Sequence, residues 1–331
     1  MVIKNKKILV TGGAGFIGSH LVDRLAENNQ VIVVDDLSLG TRENLKNAIA
    51  TGNVRIAKEN ICNFARMNKI MKDIDIVFHL AAQCVRKSFR DPQIVHDVNA
   101  GGALSLYRAA FANKVKRVVH VSSSEAYGSA INVPMSENHP LNPTTVYGVS
   151  KLAGELYGIA YWKSYNFPVI VIRPFNTYGP RSHFEGPYGE VIPRFVIRVL
   201  NNRSPIIFGD GNQTRDFSYV EDVANGMIAA AGEDRLIGEV VNIAFGKERS
   251  INEVARIILK ELDRQDLKII YQESRPADVR RHYADTKKAR KILNFKAKIP
   301  LEEGIVKYIK WLKEQKLDMK KALDQIIERN W

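Results

Sequence analysis

Cysteine is scarce in this chain: Cys62 and Cys84 are the only two. They are too few for a disulfide framework and do not have a metal-ligand spacing. Both lie in or beside apolar segments, so small core residues are expected. Long apolar runs are also missing, and none reaches the roughly 20 residues that a membrane-crossing helix needs. The start, Met1-Val2-Ile3-Lys4-Asn5-Lys6-Lys7, runs straight into a strand-like segment without the apolar core of a signal peptide. A cytoplasmic location is the expectation. Acidic side chains are short as well, 36 against 49 basic ones, which leaves a net charge of +13. The basic residues are spread out, with modest clusters at Lys4–Lys7, Arg280-Arg281, Lys287–Lys291 and Lys310–Lys321. None is interleaved with aromatics, which argues against nucleic-acid binding. A solvated basic surface that also draws a polyanionic small molecule fits better.

The 331 residues suffice for one large or two modest domains with a sizeable core. The first half alternates β-branched apolar runs with helical patterns. Strands are expected at Lys7–Thr11, Val31–Asp35, Val54–Lys58, Ile74–Leu80, Arg117–Ser122 and Val169–Arg173. Their near-continuous Val, Ile and Leu content predicts parallel strands buried on both faces. Helices are expected between them, at Gly18–Asn28, Phe64–Met71, Val98–Ala112 and Val146–Tyr165. This alternation implies a doubly wound α/β sheet.

Beyond Arg173 the many prolines and glycines suggest a loop-rich region with isolated elements. Strands are expected at Ile206–Phe208 and Val240–Ile243, helices at Ile251–Leu262 and Thr286–Leu293, and one or two more over Leu301–Arg329. The expected division is residues 1–175 and a smaller lobe, residues 176–331, packed on the first as a lobe that is not a fully separate domain, with a cleft between.

Two motifs carry chemistry. Gly12, Gly15 and Gly18 follow the first strand and open a helix. Glycines at this spacing allow a tight turn and a close approach of backbone to a pyrophosphate, which the helix N-terminus attracts. Asp35 ends the second strand, placed to accept hydrogen bonds from an adenosine ribose and to repel a 2′-phosphate, which favours NAD over NADP. Tyr147 and Lys151 stand four apart on a predicted helix and share a face. An ammonium beside the phenol is expected to lower the Tyr147 pKa, making it a proton acceptor near neutral pH.

The glycine spacing and Tyr147-x-x-x-Lys151 together resemble the extended short-chain dehydrogenase/reductase family. The resemblance extends through His79-Leu80-Ala81-Ala82, Ser122 to Gly128, Arg173-Pro174-Phe175-Asn176, Tyr178-Gly179-Pro180-Arg181 and Gly211 to Phe217. The later blocks look like its sugar-nucleotide epimerases and dehydratases. The resemblance implies a doubly wound parallel Rossmann sheet with a smaller C-terminal α/β substrate-binding lobe. It implies tightly held NAD, which takes up and returns the C4 hydrogen of a nucleotide-diphosphate sugar. Tyr147 would act as base on the C4 hydroxyl, Lys151 would tune it and hold the nicotinamide ribose, and Ser123 would hydrogen-bond the same hydroxyl. Asp35, Asp36 and Leu37 match the adenosine segment, and Asn60 and Ile61 the adenine side. Phe16 and Ile17 belong to the glycine turn. Leu80, Ala81, Ala82 and Pro174 match backbone along the cofactor, and Asn99 an anchor near the catalytic Tyr.

On the substrate side Asn176, Arg215 and Arg275 match diphosphate contacts, Asp278 a ribose acceptor, and Val191 and Phe208 the flanks of a uracil-like base. His282 falls where side-chain size influences acceptance of an N-acetyl group. Glu125 matches the base that removes a C5 proton in the dehydratases. Those of the deoxythymidine-sugar type carry Asp-Glu, where this chain has Ser124-Glu125. The implied reaction is 4-epimerisation of a uridine-diphosphate hexose. A dehydratase using Glu125 and a non-catalytic NAD sensor are the alternatives. The resemblance also implies a homodimer paired through the helices Val98–Ala112 and Val146–Tyr165.

Overall fold

The apolar runs assemble, in this computed structural model, into a seven-stranded parallel sheet. The structure describes residues 3–329 and 331. The strand order is Val240–Ile243, Val169–Pro174, Arg117–Val121, Ile76–His79, Lys7–Thr11, Gln30–Asp35 and Val54–Lys58. One face packs on the helices Phe16–Ala26 and Val220–Ala231, through Leu21, Val22, Val223 and Met227. The other packs on Gly102–Ala112 and Val146–Tyr165, through Leu106, Tyr107 and Tyr157. Cover on both faces is why the central strands carry almost no polar side chains. The expected doubly wound α/β fold is the one observed.

The order in which strands are added reverses between the first strand and its parallel neighbour Ile76–His79, which pair from Ile8–Ile76 to Thr11–His79. A crevice opens at the C-terminal ends of strands at such a switch point. The glycine turn, Leu80–Ala82 and the Ser122–Glu125 segment all leave the sheet at that end.

Most elements lie within a residue or two of expectation, the usual scatter of element ends. Three differences are larger. Val54–Lys58 is not buried on both faces: it is the edge strand, pairing only with Gln30–Asp35, and its side chains are half-buried or exposed. The helix expected from Val98 is broken into Pro92–His96, a π-turn over Asp97–Gly101, and Gly102–Ala112. The stretch expected to be loop-rich holds the helices Val191–Leu200 and Val220–Ala231. The lobe beyond residue 175 stays tied to the first. Val240–Ile243 returns to pair with Val169–Pro174 and covers an otherwise open sheet edge, and Val220–Ala231 packs on the first core. The second lobe has its own apolar cluster, including Ile192, Phe195, Val254, Ile258, Ile305 and Leu312.

Neither cysteine is a core residue. Cys62 is exposed, in the turn whose Asn60 Oδ1 accepts its backbone N–H at 2.8 Å, and Cys84 is half-buried; both thiols are free.

Candidate active site

A cavity of about 400 Å3 lies at the switch point, and the glycine turn forms its floor. Gly12 has φ +68°, and a Cβ there would lie 2.7 Å from Ala81 N. A Cβ on Gly18 would lie 2.1 Å from Gly12 O, so any side chain would force the turn open. The helix starting at Phe16 has Gly15 as its N-cap, with no side-chain cap and no acidic residue in the first turn. Its leading N–H groups thus face the cavity without a competing carboxylate, the arrangement that suits a phosphate.

Asp35 Oδ2 accepts from Ala14 N and Oδ1 from Leu37 N, each at 2.9 Å, and burial raises its pKa. The carboxylate therefore braces the turn while lining the cavity. These residues fit NAD: a bare backbone cradle, a helix N-terminus, and Asp35 and Asp36 at the adenosine end. Phe16, Ile17, Asn60, Ile61, Leu80, Ala81, Ala82 and Pro174 line the same cavity. Two expected cofactor residues are not among its lining residues. Leu37, at φ +61°, supplies the bracing N–H to Asp35. Asn99 is buried and works through others: Gln83 N donates to its Oδ1 at 2.7 Å, and its Nδ2 donates to Gln83 O and to Ser150 Oγ at 3.0 Å. Ser150 Oγ in turn donates to the Tyr147 carbonyl at 2.8 Å. The π-turn that interrupts the expected helix carries Asn99.

Tyr147 and Lys151 sit in the first two turns of Val146–Tyr165, whose N-cap Thr145 Oγ1 accepts from Gly148 N at 3.0 Å. A Cβ on Gly148 would lie 2.7 Å from Glu125 O, so this helix is pressed directly against the Ser123–Glu125 turn. Ser123, Ser124, Glu125, Tyr147 and Lys151 all line the cavity. The electrostatics differ from expectation. Burial pushes the Tyr147 phenol well above its ordinary range, and a hydrogen bond with Ser123 pulls it only part of the way back. Burial also pulls Lys151 down to about 8, opposed by Glu155. Its Nζ donates to the Val121 carbonyl at 2.6 Å. The pair shares a helix face as expected, but desolvation outweighs the tuning expected of the ammonium.

Glu125 is half-buried, and burial raises its pKa against the pull of Arg215 and Arg86. Glu190, which the sequence did not single out, lines the same cavity and is pushed up to about 7 by burial, opposed by Arg86 and His183. Gln83, Cys84 and Arg86 were also missed. Their signal was position: they directly follow the predicted Leu80–Ala82.

Arg86, Asn176, Val191 and Phe217 line both this cavity and a second one, of about 100 Å3. The second is walled by Phe208, Arg194, Arg198, Arg215, Arg275 and Asp278. Ser123, Asn176, Val191, Phe208, Arg215, Arg275 and Asp278 thus each line one of two adjoining spaces. Arg215 donates to the Thr214 and Val279 carbonyls and to Asp278 Oδ1, the last at 2.8 Å. Burial lowers Arg275 to about 9, with Arg86 and Arg194 adding to the effect. The buried Nε of Arg275 and the buried Oδ1 of Asn176 have no partner among the described residues. Groups of this kind suit an anionic, hydrogen-bonding ligand. His282 does not belong here: it lines neither cavity, and its Nε2 bonds the Gly128 carbonyl at 2.9 Å. Among the described residues no cluster suits a metal ion, and no helix is long and apolar enough to cross a membrane.

Comparison with known proteins agrees with this geometry. The family model described as GDP-mannose 4,6 dehydratase matches residues 9–308. A Methanocaldococcus jannaschii protein provisionally named UDP-glucose 4-epimerase is 41% identical over 92% of this chain and 98% of its own. A solved UDP-N-acetylglucosamine 4-epimerase from Methanobrevibacter ruminantium, in complex with UDP-N-acetylmuramic acid, superposes with a TM-score of 0.89 at 38% identity, covering 95% of this chain and all 100% of that one. A dTDP-glucose 4,6-dehydratase from Streptomyces venezuelae, solved with NAD bound, gives a TM-score of 0.87 at 29% identity, covering 93% and 97%. The chain belongs to the nucleotide-sugar epimerase and dehydratase family, of the short-chain dehydrogenase/reductase type.

Proposed function

We propose that this protein is an NAD-dependent 4-epimerase of UDP-hexoses, such as UDP-glucose and UDP-galactose or their N-acetyl forms. The supporting observation is the continuity of the two cavities through Arg86, Asn176, Val191 and Phe217. One end offers a dinucleotide cradle beside Tyr147, Ser123 and Lys151. The other offers arginines and an aromatic ring. A diphosphate anchored at the second end puts its sugar at the first.

NAD, when bound, supplies a reversible two-electron acceptor for the C4 hydrogen. Gly12, Gly15 and Gly18 with Asp35 would hold it, and Lys151 would orient its nicotinamide ribose. Tyr147 takes the C4 hydroxyl proton and later returns it, and Ser123 holds the hydroxyl in line. An added positive charge near a buried phenol favours the phenolate, so the free protein keeps Tyr147 protonated and the loaded one releases it. Epimerisation asks nothing further of side chains at C5. The oxidised sugar turns about its anchored diphosphate and is reduced on its other face.

Glu125 favours a second reading, a nucleotide-sugar dehydratase. A half-buried carboxyl with a raised pKa in the sugar space is a competent base for a C5 proton. Ser124 beside it supplies no acid for a departing hydroxyl. Glu125→Gln separates the two: epimerisation of UDP-glucose should persist within about threefold, whereas proton abstraction by Glu125 would cost about 100-fold or more. We further propose a homodimer, in which a second copy covers Phe111, Val149, Leu156 and Tyr165, all exposed on the two long helices.

A further inference from the structure

Glu328 and Trp331 pack against walls of the second cavity. Gly186 N donates to Gln325 O at 2.7 Å, and Gly186 and Ile326 form a parallel bridge. Two arginines of the helix Val191–Leu200 then hold Glu328. Arg194 donates to its carbonyl at 2.7 Å and Arg198 to its carboxylate at 3.2 Å. Arg90 donates to the Arg329 carbonyl at 3.4 Å. Trp331 follows, its ring centroid 4.6 Å from that of Phe208 with the planes at 83°. The Arg275 guanidinium stands over both rings, 5.1 Å from Phe208 and 5.4 Å from Trp331. Arg194, Arg198, Phe208 and Arg275, the residues that hold this segment, are themselves walls of the second cavity.

Two aromatic rings at right angles form a corner. A planar base stacked on one ring presents its edge to the other, and both contacts are favourable. Arg275 sits at the same corner with a buried Nε that has no hydrogen-bond partner among the described residues, so a diphosphate carried one ribose away from the base has a donor close by.

We propose that Trp331 is a second aromatic wall of the nucleobase site, at right angles to Phe208, and that the Glu328 contacts with Arg194 and Arg198 hold it there. The ligand is the uracil ring of a uridine diphosphate, and the proposal rests on the UDP-sugar reading above.

Calorimetric titration of the NAD-loaded protein with UDP, and separately with inorganic pyrophosphate, tests it. Trp331→Ala should weaken UDP binding roughly 10-fold while leaving pyrophosphate within about twofold, as expected when only a base contact is lost. Trp331→Phe should restore most of the loss. Unchanged or tighter UDP binding in Trp331→Ala would overturn the proposal, the latter showing that the indole blocks the pocket. An equal loss for pyrophosphate, or no recovery with Phe, would overturn it too. If the unaltered protein fails to bind UDP, the functional reading itself falls. If it binds UDP and Trp331→Ala binds equally well, only the role of Trp331 falls.

Discussion

The glycine turn and the arginine pocket face each other along one cleft, yet they are made of different materials. The turn is backbone: Gly12, Gly15 and Gly18 contribute the absence of side chains, and Asp35 is tied to two amides of its own turn. The pocket is side chain: Arg86, Arg194, Arg215 and Arg275 come from four separated segments and meet around Phe208. A backbone site recognises by shape and tolerates almost no change. A site of long charged side chains recognises by charge, and its loss on mutation is graded. Fixed grip at one end and adjustable grip at the other suit a cofactor that stays and a sugar that must turn.

The sharpest break of this comparison is Gly18→Ala. Its methyl group would meet Gly12 O and Gly13 Cα at 2.1 and 2.8 Å, an overlap that costs about 3 kcal/mol or more. Chromatography of the denatured protein should find no NAD, and the melting temperature should fall. Retained NAD would mean that the turn is not the grip. Next is Tyr147→Phe, at the junction of the two halves. It should lower kcat by about 1,000-fold, within the range for lost acid–base catalysis, while NAD content and UDP affinity stay the same. Arg275→Met should do the reverse, raising KM for the nucleotide sugar about 10- to 100-fold with NAD content unchanged.

The smallest expected effect is on stability. Asp216, next to Arg215, is fully buried, and burial raises its carboxyl to about 7 against hydrogen bonds from the Ala284 and Gly246 amides. Its unfolded value lies near 3.8. Between those values the folded protein holds a proton that the unfolded chain has released. The stabilising contribution is therefore complete below about pH 4 and is lost as pH rises through about 7. Asp216→Asn should flatten the change in urea midpoint between pH 5 and pH 8, by at most about 3 kcal/mol of unfolding free energy. An unchanged slope would place that titration elsewhere.

The same contrast explains what was legible in the sequence. Gly12, Gly15, Gly18 and Asp35 could be read because each requirement is local: a strand, a tight turn, a helix start and the next strand end. Tyr147 and Lys151 could be placed on one helix face from their spacing. Their protonation could not, because it depends on burial set by the Ser123–Glu125 turn packed against Gly148. The helix Val191–Leu200 was obscured by Pro193, which suggests a break but lies in the first turn, where its missing N–H is harmless. Val220–Ala231 did carry the signs, with Glu221 and Asp222 in its first turn and apolar Val223, Met227 and Ala230 at helical spacing. Glu190 had no local signature, since only the fold brings it near Tyr147. Trp331 reaches Phe208 from 123 positions away, a contact that no periodicity could announce.

The central claim is that the C4 hydrogen leaves and returns while C5 is untouched. The direct measurement is turnover of UDP-glucose in deuterium oxide, followed by NMR and mass spectrometry. A mixture of UDP-glucose and UDP-galactose with no deuterium on carbon is the predicted result. Deuterium at C5, or a 4-keto-6-deoxy product, would contradict it and assign the chemistry to Glu125.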